Sequence, residues 1–245
     1  MTWSIITRDP ESGLFGIAIA SRFFAVGALC LDAEAHVGAV CTQALMNPAY
    51  AKRSVAMLRE GLKPADICRI VVSGDEGADQ RQLHMLDRQG HTAAYTGATC
   101  VDWCGHLHEQ DISVAGNMLA GPAVVADTLK AFKSRGDLPI VERLLTAMEA
   151  GEVAGGDKRG KQSAALLIQG DEAYPRFTIR ADDHADPLAE LRRLYDVAKE
   201  RFIPFSTCFP TPERPYGITD RDQLETIIER DRGKPLGALA DVLVP

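Results

Sequence analysis

Met1-Thr2-Trp3-Ser4-Ile5-Ile6-Thr7-Arg8-Asp9 leads through Pro10-Glu11-Ser12-Gly13 into Leu14-Phe15-Gly16-Ile17-Ala18-Ile19-Ala20-Ser21. Two apolar runs around a turn-forming segment predict a hairpin, with strands over 3–8 and 14–22. Pro10 presets φ in the turn and Gly13 admits φ > 0. In the second run Phe15, Ile17 and Ile19 share one face, while Gly16, Ala18 and Ala20 share the other. So small a face lets a helix or another backbone approach closely, as suits a hairpin packed at the centre of a fold. Thr2 stands at its head. Once Met1 is removed, Thr2 carries a free α-amine and a hydroxyl on the same residue, a nucleophile with its own base.

Outward from the hairpin, residues 36–43 predict a buried strand. Asn47-Pro48 opens a helix with Ala51, Val55 and Leu58 on its apolar stripe and a stop at Gly61. Leu62-Lys63-Pro64 opens a second helix, to about Ser73-Gly74. Residues 82–87 and 91–96 predict a hairpin across Arg88-Gln89-Gly90, and residues 112–117 a short strand. Pro122 and Pro139 lead a second pair of helices. The glycine- and charge-rich stretch from Ala154 to Ser163 feeds an apolar strand over 164–168, and a strand over 177–179 returns. A helix from Asp186-Pro187 to about Arg201 follows, then an irregular proline-rich segment, then a last helix capped in Thr219-Asp220-Arg221-Asp222. Residues 23–31 and 97–111 are expected to be irregular. Hairpins alternating with helix pairs fit a layered α+β sandwich better than βαβ units. No G-x-G-x-x-G opens a helix after a strand, which disfavours a dinucleotide-binding fold.

The 245 residues carry a net charge of -7, with 46% hydrophobic and 25% charged residues. That is an ordinary balance for a globular chain with a sizeable core. No basic stripe is present, so nucleic acid is not an expected partner. No uninterrupted apolar run reaches the roughly 18 residues of a membrane span, and no signal-peptide pattern opens the chain. A cytoplasmic protein is expected, with no cofactor. The six cysteines are scattered, without a C-x-x-C pair, and are expected to be buried thiols. Cys100, Cys104, His106 and His108 offer one pair at metal-ligand spacing but no distant second pair, so no metal is expected. His106, beside Trp103, is a better site candidate alone. His36, His84, His91 and His184 stand singly and read as surface or satisfied core residues. No Ser-His-Asp order or G-x-S-x-G elbow appears.

Several segments together resemble the N-terminal nucleophile (Ntn) hydrolase superfamily and, more closely, a bacterial family of unknown function assigned to it. They are Ala20-Ser21 with Ala25-Val26-Gly27, Gly38-Ala39-Val40-Cys41-Thr42-Gln43 with Asn47-Pro48, and Thr96-Gly97 with Cys100, Trp103 and Gly105-His106. Gly116-Asn117-Met118-Leu119 and Gly155-Gly156-Asp157-Lys158-Arg159-Gly160-Lys161-Gln162-Ser163-Ala164-Ala165 complete the set. The resemblance spans residues 2 to about 192. It implies a four-layer αββα sandwich: two antiparallel sheets face to face, flanked by helix pairs, with the N-terminus emerging between the sheets. The expected organisation is an Ntn-like domain over 1–182 and a helical, proline-rich extension over 183–245 packed on it.

The same resemblance implies Thr2 as nucleophile and base, Asn117 in an oxyanion hole, and Asp157 in support of the N-terminal residue. Ser21, Arg22, Thr42, Gln43, His106 and Arg159 are the substrate-binding candidates. Proteasome-like relatives place a lysine on an early strand. Here the first lysine is Lys52, on a predicted helix, and the second strand ends Ala20-Ser21-Arg22. Arg22 or Arg8 supplies charge there, but a guanidinium does not shuttle protons. The expected activity is cleavage of a small or peptide-like amide. A non-catalytic small-ligand-binding or scaffold protein on the same fold is the alternative, and ring-opening or cyclohydrolase-type chemistry a third. A homodimer is the expected assembly.

Overall fold

The computed structural model describes residues 2–238. β1 (Thr2–Arg8) and β2 (Phe15–Ser21) form the predicted hairpin, paired antiparallel from Thr2 opposite Ser21 to Arg8 opposite Phe15. They occupy the middle of a six-stranded antiparallel sheet. Its other strands are β7 (Gly105–Glu109), β8 (Ile112–Asn117), β9 (Ser163–Gln169) and β10 (Phe177–Ala181), in the order β10-β9-β2-β1-β8-β7. A second antiparallel sheet has the order β3-β4-β5-β6, from β3 (Leu31–Glu34), β4 (Gly38–Ala44), β5 (Arg81–Asp87) and β6 (Thr92–Thr96).

Strand alternation sorts side chains into layers. Ile6, Phe15, Ile17 and Ile19 of the larger sheet meet Ala39, Cys41 and Leu86 of the smaller one, making the inter-sheet core. On the smaller sheet's other face, Val40, Leu83 and Met85 pack under α1 (Pro48–Arg59) and α2 (Pro64–Ser73). The larger sheet is covered by α3 (Ala123–Ser134) and α4 (Ile140–Val153). The small face of β2 receives α4. A Cβ built on Gly16 would lie 2.8 Å from Leu144 Cδ1, so this helix seats as closely as it does because position 16 has no side chain. The αββα order expected from the sequence is the architecture of the chain. Each fully buried aliphatic side chain contributes about 1.5–3 kcal/mol, and β1 and β2 bury theirs on both faces.

Two strands and one helix escape the sequence reading. β3 and β7 are edge strands lacking a buried apolar alternation: β3 is half-buried throughout, and β7 exposes Leu107, His108 and Glu109. α6 (Phe202–Ser206) forms in the proline-rich stretch, with Pro204 inside its first turn, where a missing N–H costs nothing. Asn47 caps α1 as its Oδ1 accepts from Ala49 N at 3.1 Å. Asn47→Ala should lower stability by about 1 kcal/mol, read as a lower urea midpoint with unchanged slope.

The chain divides into two compact units, Met1–Leu191 and Arg192–Pro245. α5 (Pro187–Glu200) begins in the first and continues in the second. Within the second, α7 (Arg221–Asp231) carries the predicted cap, with Asp220 Oδ1 accepting from Gln223 N. The wholly buried Asp231 carboxylate is held by Arg230 and Lys234.

Candidate active site

Three strand ends meet at Thr2. Ser21 of β2 stands opposite it on one side and Asn117 of β8 on the other. Cross-strand partners share a face, so all three side chains point toward the smaller sheet. Thr2 Oγ1 donates to Ser21 Oγ at 3.1 Å. The Thr2 carbonyl oxygen lies 3.4 Å from Asn117 Nδ2 and 3.5 Å from Gln43 Nε2. Thr2 is 6% exposed. Met1, whose removal the nucleophile requires, lies outside the described residues.

Behind Thr2, a connected set of buried polar side chains crosses the inter-sheet space. Ser4 Oγ bonds Gln43 Oε1 at 2.7 Å and His84 Nε2 at 2.8 Å, and His84 Nδ1 meets Ser113 Oγ at 3.0 Å. Gln82 Oε1 accepts from Gln43 Nε2 at 2.8 Å and from Asn117 Nδ2 at 3.0 Å. Gln82 Nε2 reaches Gly116 O, Thr96 Oγ1 and Gly105 O, and Thr96 Oγ1 in turn meets His106 Nδ1 at 2.8 Å. Buried polar groups need partners, and here they find one another. Burial pushes His84 down to about 3, with His106 and His108 adding to the shift, so its imidazole is neutral. His106 is lowered too, by burial first and then by His108. Burial pushes the Cys30 thiol up to about 12 and Cys41 higher still. Neither is a nucleophile near neutrality.

Asp157 ties the strand ends together. It bridges to Leu119, just beyond β8, while its carboxylate accepts from Arg22 N at 2.7 Å and Arg159 N at 2.8 Å. The Arg159 guanidinium pairs with it at 3.2 Å. The loop bends through Gly155 and Gly156 at φ 115° and 48°, the first of which a side chain rarely adopts. Arg22 Nη1 donates to Arg159 O. Lys52 is far from this constellation in role: it projects from α1 to Asp32, largely in solvent.

The structure thus brings Thr2, Ser21, Gln43 and Asn117 together, with Asp157, Arg22 and Arg159 at the adjoining strand ends. His106 joins through Thr96 and Gln82. Thr42 is placed elsewhere, since it shares the face of Val40 beneath α1 and its hydroxyl is buried without a partner. Sequence reasoning missed Ser4, Gln82 and Ser113, and took His84 only as a surface or satisfied core residue. The available signal was alternation: Gln82, His84 and Leu86 share one face of β5 while Leu83 and Met85 share the other. Two polar residues on one face of a strand so apolar on the other mark a polar patch inside a core. Around the same end, Phe23, Phe24, Leu29, Leu45 and Val101 are half or more exposed. Among the described residues, no group of three or more His, Cys, Asp or Glu side chains is placed to hold a metal ion, and no helix is long and apolar enough to cross a membrane.

A family model described as a family of unknown function, DUF1028, matches residues 2–191. The crystal structure of protein SPO2555 from Silicibacter pomeroyi, itself assigned to DUF1028, is 32% identical. It covers 90% of this chain and 96% of its own, at a TM-score of 0.83. Anbu (ancestral beta-subunit) from Yersinia bercovieri is 14% identical over 79% of this chain and 92% of its own, at a TM-score of 0.39. No curated protein matches.

Proposed function

The chain belongs to the DUF1028 family of unknown function, and from that premise we propose that it is an Ntn-type amidohydrolase whose nucleophile is Thr2 after loss of Met1. The observation that carries the reading is the geometry of the β1 end. A hydroxyl-bearing second residue is held by strands on both sides, hydroxyl toward the inter-sheet space, with a side-chain amide from the neighbouring strand beside it.

A free α-amine titrates at about 7.7–8.0, so near neutrality part of it is unprotonated. It takes the Oγ1 proton, directly or through water, as Oγ1 bonds to the substrate carbonyl carbon. Asn117 keeps its bond to Gln82 and turns its second N–H from the Thr2 carbonyl oxygen, 3.4 Å away, to the oxyanion. The C–N bond breaks as the ammonium returns its proton to the leaving amine. Water, deprotonated by the same amine, then releases the acyl group and regenerates the hydroxyl. Ser21 holds Oγ1 in place, and Asp157 fixes the Arg22 and Arg159 backbones at the mouth. The substrate is a small or peptide-like amide, and the apolar rim from Phe23 to Val101 favours an apolar acyl group.

Intact mass of untagged protein tests the premise, the expected result being a chain short of one methionine. An electrophilic acylating probe should then add one acyl group at Thr2. Retention of Met1 on all molecules overturns the proposal. Asn117→Ala should slow probe acylation by about 10²-fold, the scale of one lost oxyanion donor, measured as the rate of mass gain.

One observation favours a second reading, a non-catalytic scaffold or small-ligand-binding protein. The inter-sheet polar groups satisfy each other instead of presenting unused donors. A protein that loses Met1 yet resists every acylating probe, while still binding a metabolite, would support it.

A further inference from the structure

The direction of the hydrogen bonds that run from Gln82 through Gln43, Ser4 and His84 to Ser113 follows from two backbone carbonyls. Gly116 O and Gly105 O only accept, and Gln82 presents its amide nitrogen to them at 2.8 and 3.1 Å. The Gln82 oxygen therefore faces the other way, where two amide groups 2.8 and 3.0 Å from it must both turn nitrogen inward: Gln43 and Asn117. With its nitrogen so placed, Gln43 offers its oxygen to Ser4, which spends its one proton there. Ser4 Oγ then accepts from His84, whose proton sits on Nε2. A neutral imidazole has no proton left for Nδ1, so Ser113 donates to it. Amide orientation and tautomer are properties of such a network as a whole. Here the branches from Gln82 to Asn117 and to Ser113 have one consistent solution anchored at Gly105 and Gly116.

We propose that Gln82 is a positioning residue that sets this direction and, by accepting one Asn117 N–H, holds the other toward Thr2. The proposal rests on the Thr2 reading for its catalytic consequence. If Gln82 were turned over, Asn117 would present its oxygen to the Thr2 end, repelling a developing oxyanion instead of binding it. Gln82 touches neither Thr2 nor a substrate placed against it. It acts on the site through Asn117 and, on the far branch, on Gln43, Ser4 and His84.

The experiment pairs ring-nitrogen NMR of His84, assigned by its disappearance in His84→Gln, with the rate of Thr2 acylation. In the wild type, His84 is expected as the Nε2–H tautomer. In Gln82→Leu the two amides lose their common acceptor, both tautomers of His84 should appear, and acylation should slow by roughly 10- to 100-fold. Gln82→Glu keeps the acceptor but sets a carboxylate against two carbonyls. Its buried carboxyl should take up a proton and donate to one of the two carbonyls, where the amide reached both. The ratio of that variant's acylation rate to the wild-type rate at the same pH should therefore be highest at low pH and fall as pH rises through a raised carboxyl pKa, since titration of the Thr2 amine is common to both proteins. An Nδ1–H tautomer in the wild type overturns the proposal. So does Gln82→Leu with tautomer and rate unchanged, or Gln82→Glu with the wild-type profile should Gln82→Leu fail to fold. A wild type that is never acylated overturns the Thr2 reading instead, and the tautomer with its response to Gln82 substitution still decides whether Gln82 sets the chain's direction.

Discussion

Thr2→Ala should abolish turnover and probe acylation together, by more than about 10⁴-fold, while leaving the fold intact. Removing a nucleophile from a site whose members act as a unit costs nearly all the catalysis that the unit provides. Its structural cost is small. The substitution deletes one hydroxyl and one methyl at the first turn-out of a strand that keeps its backbone pairing to Ser21 and Asn117. The lost Thr2–Ser21 hydrogen bond is worth about 1 kcal/mol. Activity and stability thus separate, and thermal denaturation run beside the assay tells a dead site from a damaged one. Thr2→Ser keeps the nucleophile but loses the β-branch that restricts χ1, so it should retain acylation at a rate reduced by roughly tenfold. Thr2→Ala with undiminished turnover would place the nucleophile elsewhere.

Much of this arrangement was legible in the chain, for reasons that differ between fold and site. Alternation with one face of glycine and alanine marks β2 as a strand pressed against a helix, and Leu144 of α4 occupies that face. Asn-Pro, Lys-Pro and the other helix starts announce themselves because proline's missing N–H is harmless only at a first turn. Edge strands carry no such mark. β7 pairs on one side only, so nothing requires His106-Leu107-His108-Glu109 to alternate, and the stretch looks like a loop. The site is legible where residues adjoin Thr2 in register, as Ser21 and Asn117 do, and illegible where they arrive from the other sheet. Ser4 looks like a surface position of a half-buried strand until β4 and β5 are laid over it, bringing Gln43 and His84 within hydrogen-bonding distance. Thr42 shows the converse. It is one residue from Gln43, yet a period of two sends it to the opposite face.

The second large effect is on stability in acid, and it isolates His84. In the unfolded chain its imidazole titrates near 6.5, whereas in the folded chain burial holds it down to about 3. The folded pKa lies below the unfolded one. Between the two values the unfolded state binds one proton more, and stability therefore falls as pH falls. From pH 7.5 to pH 4.5 this residue alone should remove about 2–3 kcal/mol. That figure depends little on the folded value, because any imidazole still neutral at pH 4.5 gives nearly the same loss. His106, also lowered, acts in the same direction, and carboxylates held low by partners, such as Asp75 against Tyr50 and Arg81, add their own losses at the acid end of the window. Comparison with His84→Gln subtracts these shared contributions. Glutamine can donate to Ser4 and accept from Ser113 without titrating, so the variant's stability should decline less steeply. The gap in slope between the two proteins should reach about 1.4 kcal/mol per pH unit between pH 6 and 4.5, whatever offset the substitution introduces at neutral pH. Urea unfolding at half-unit pH steps measures it, and parallel profiles would show that His84 does not stay neutral in the folded core.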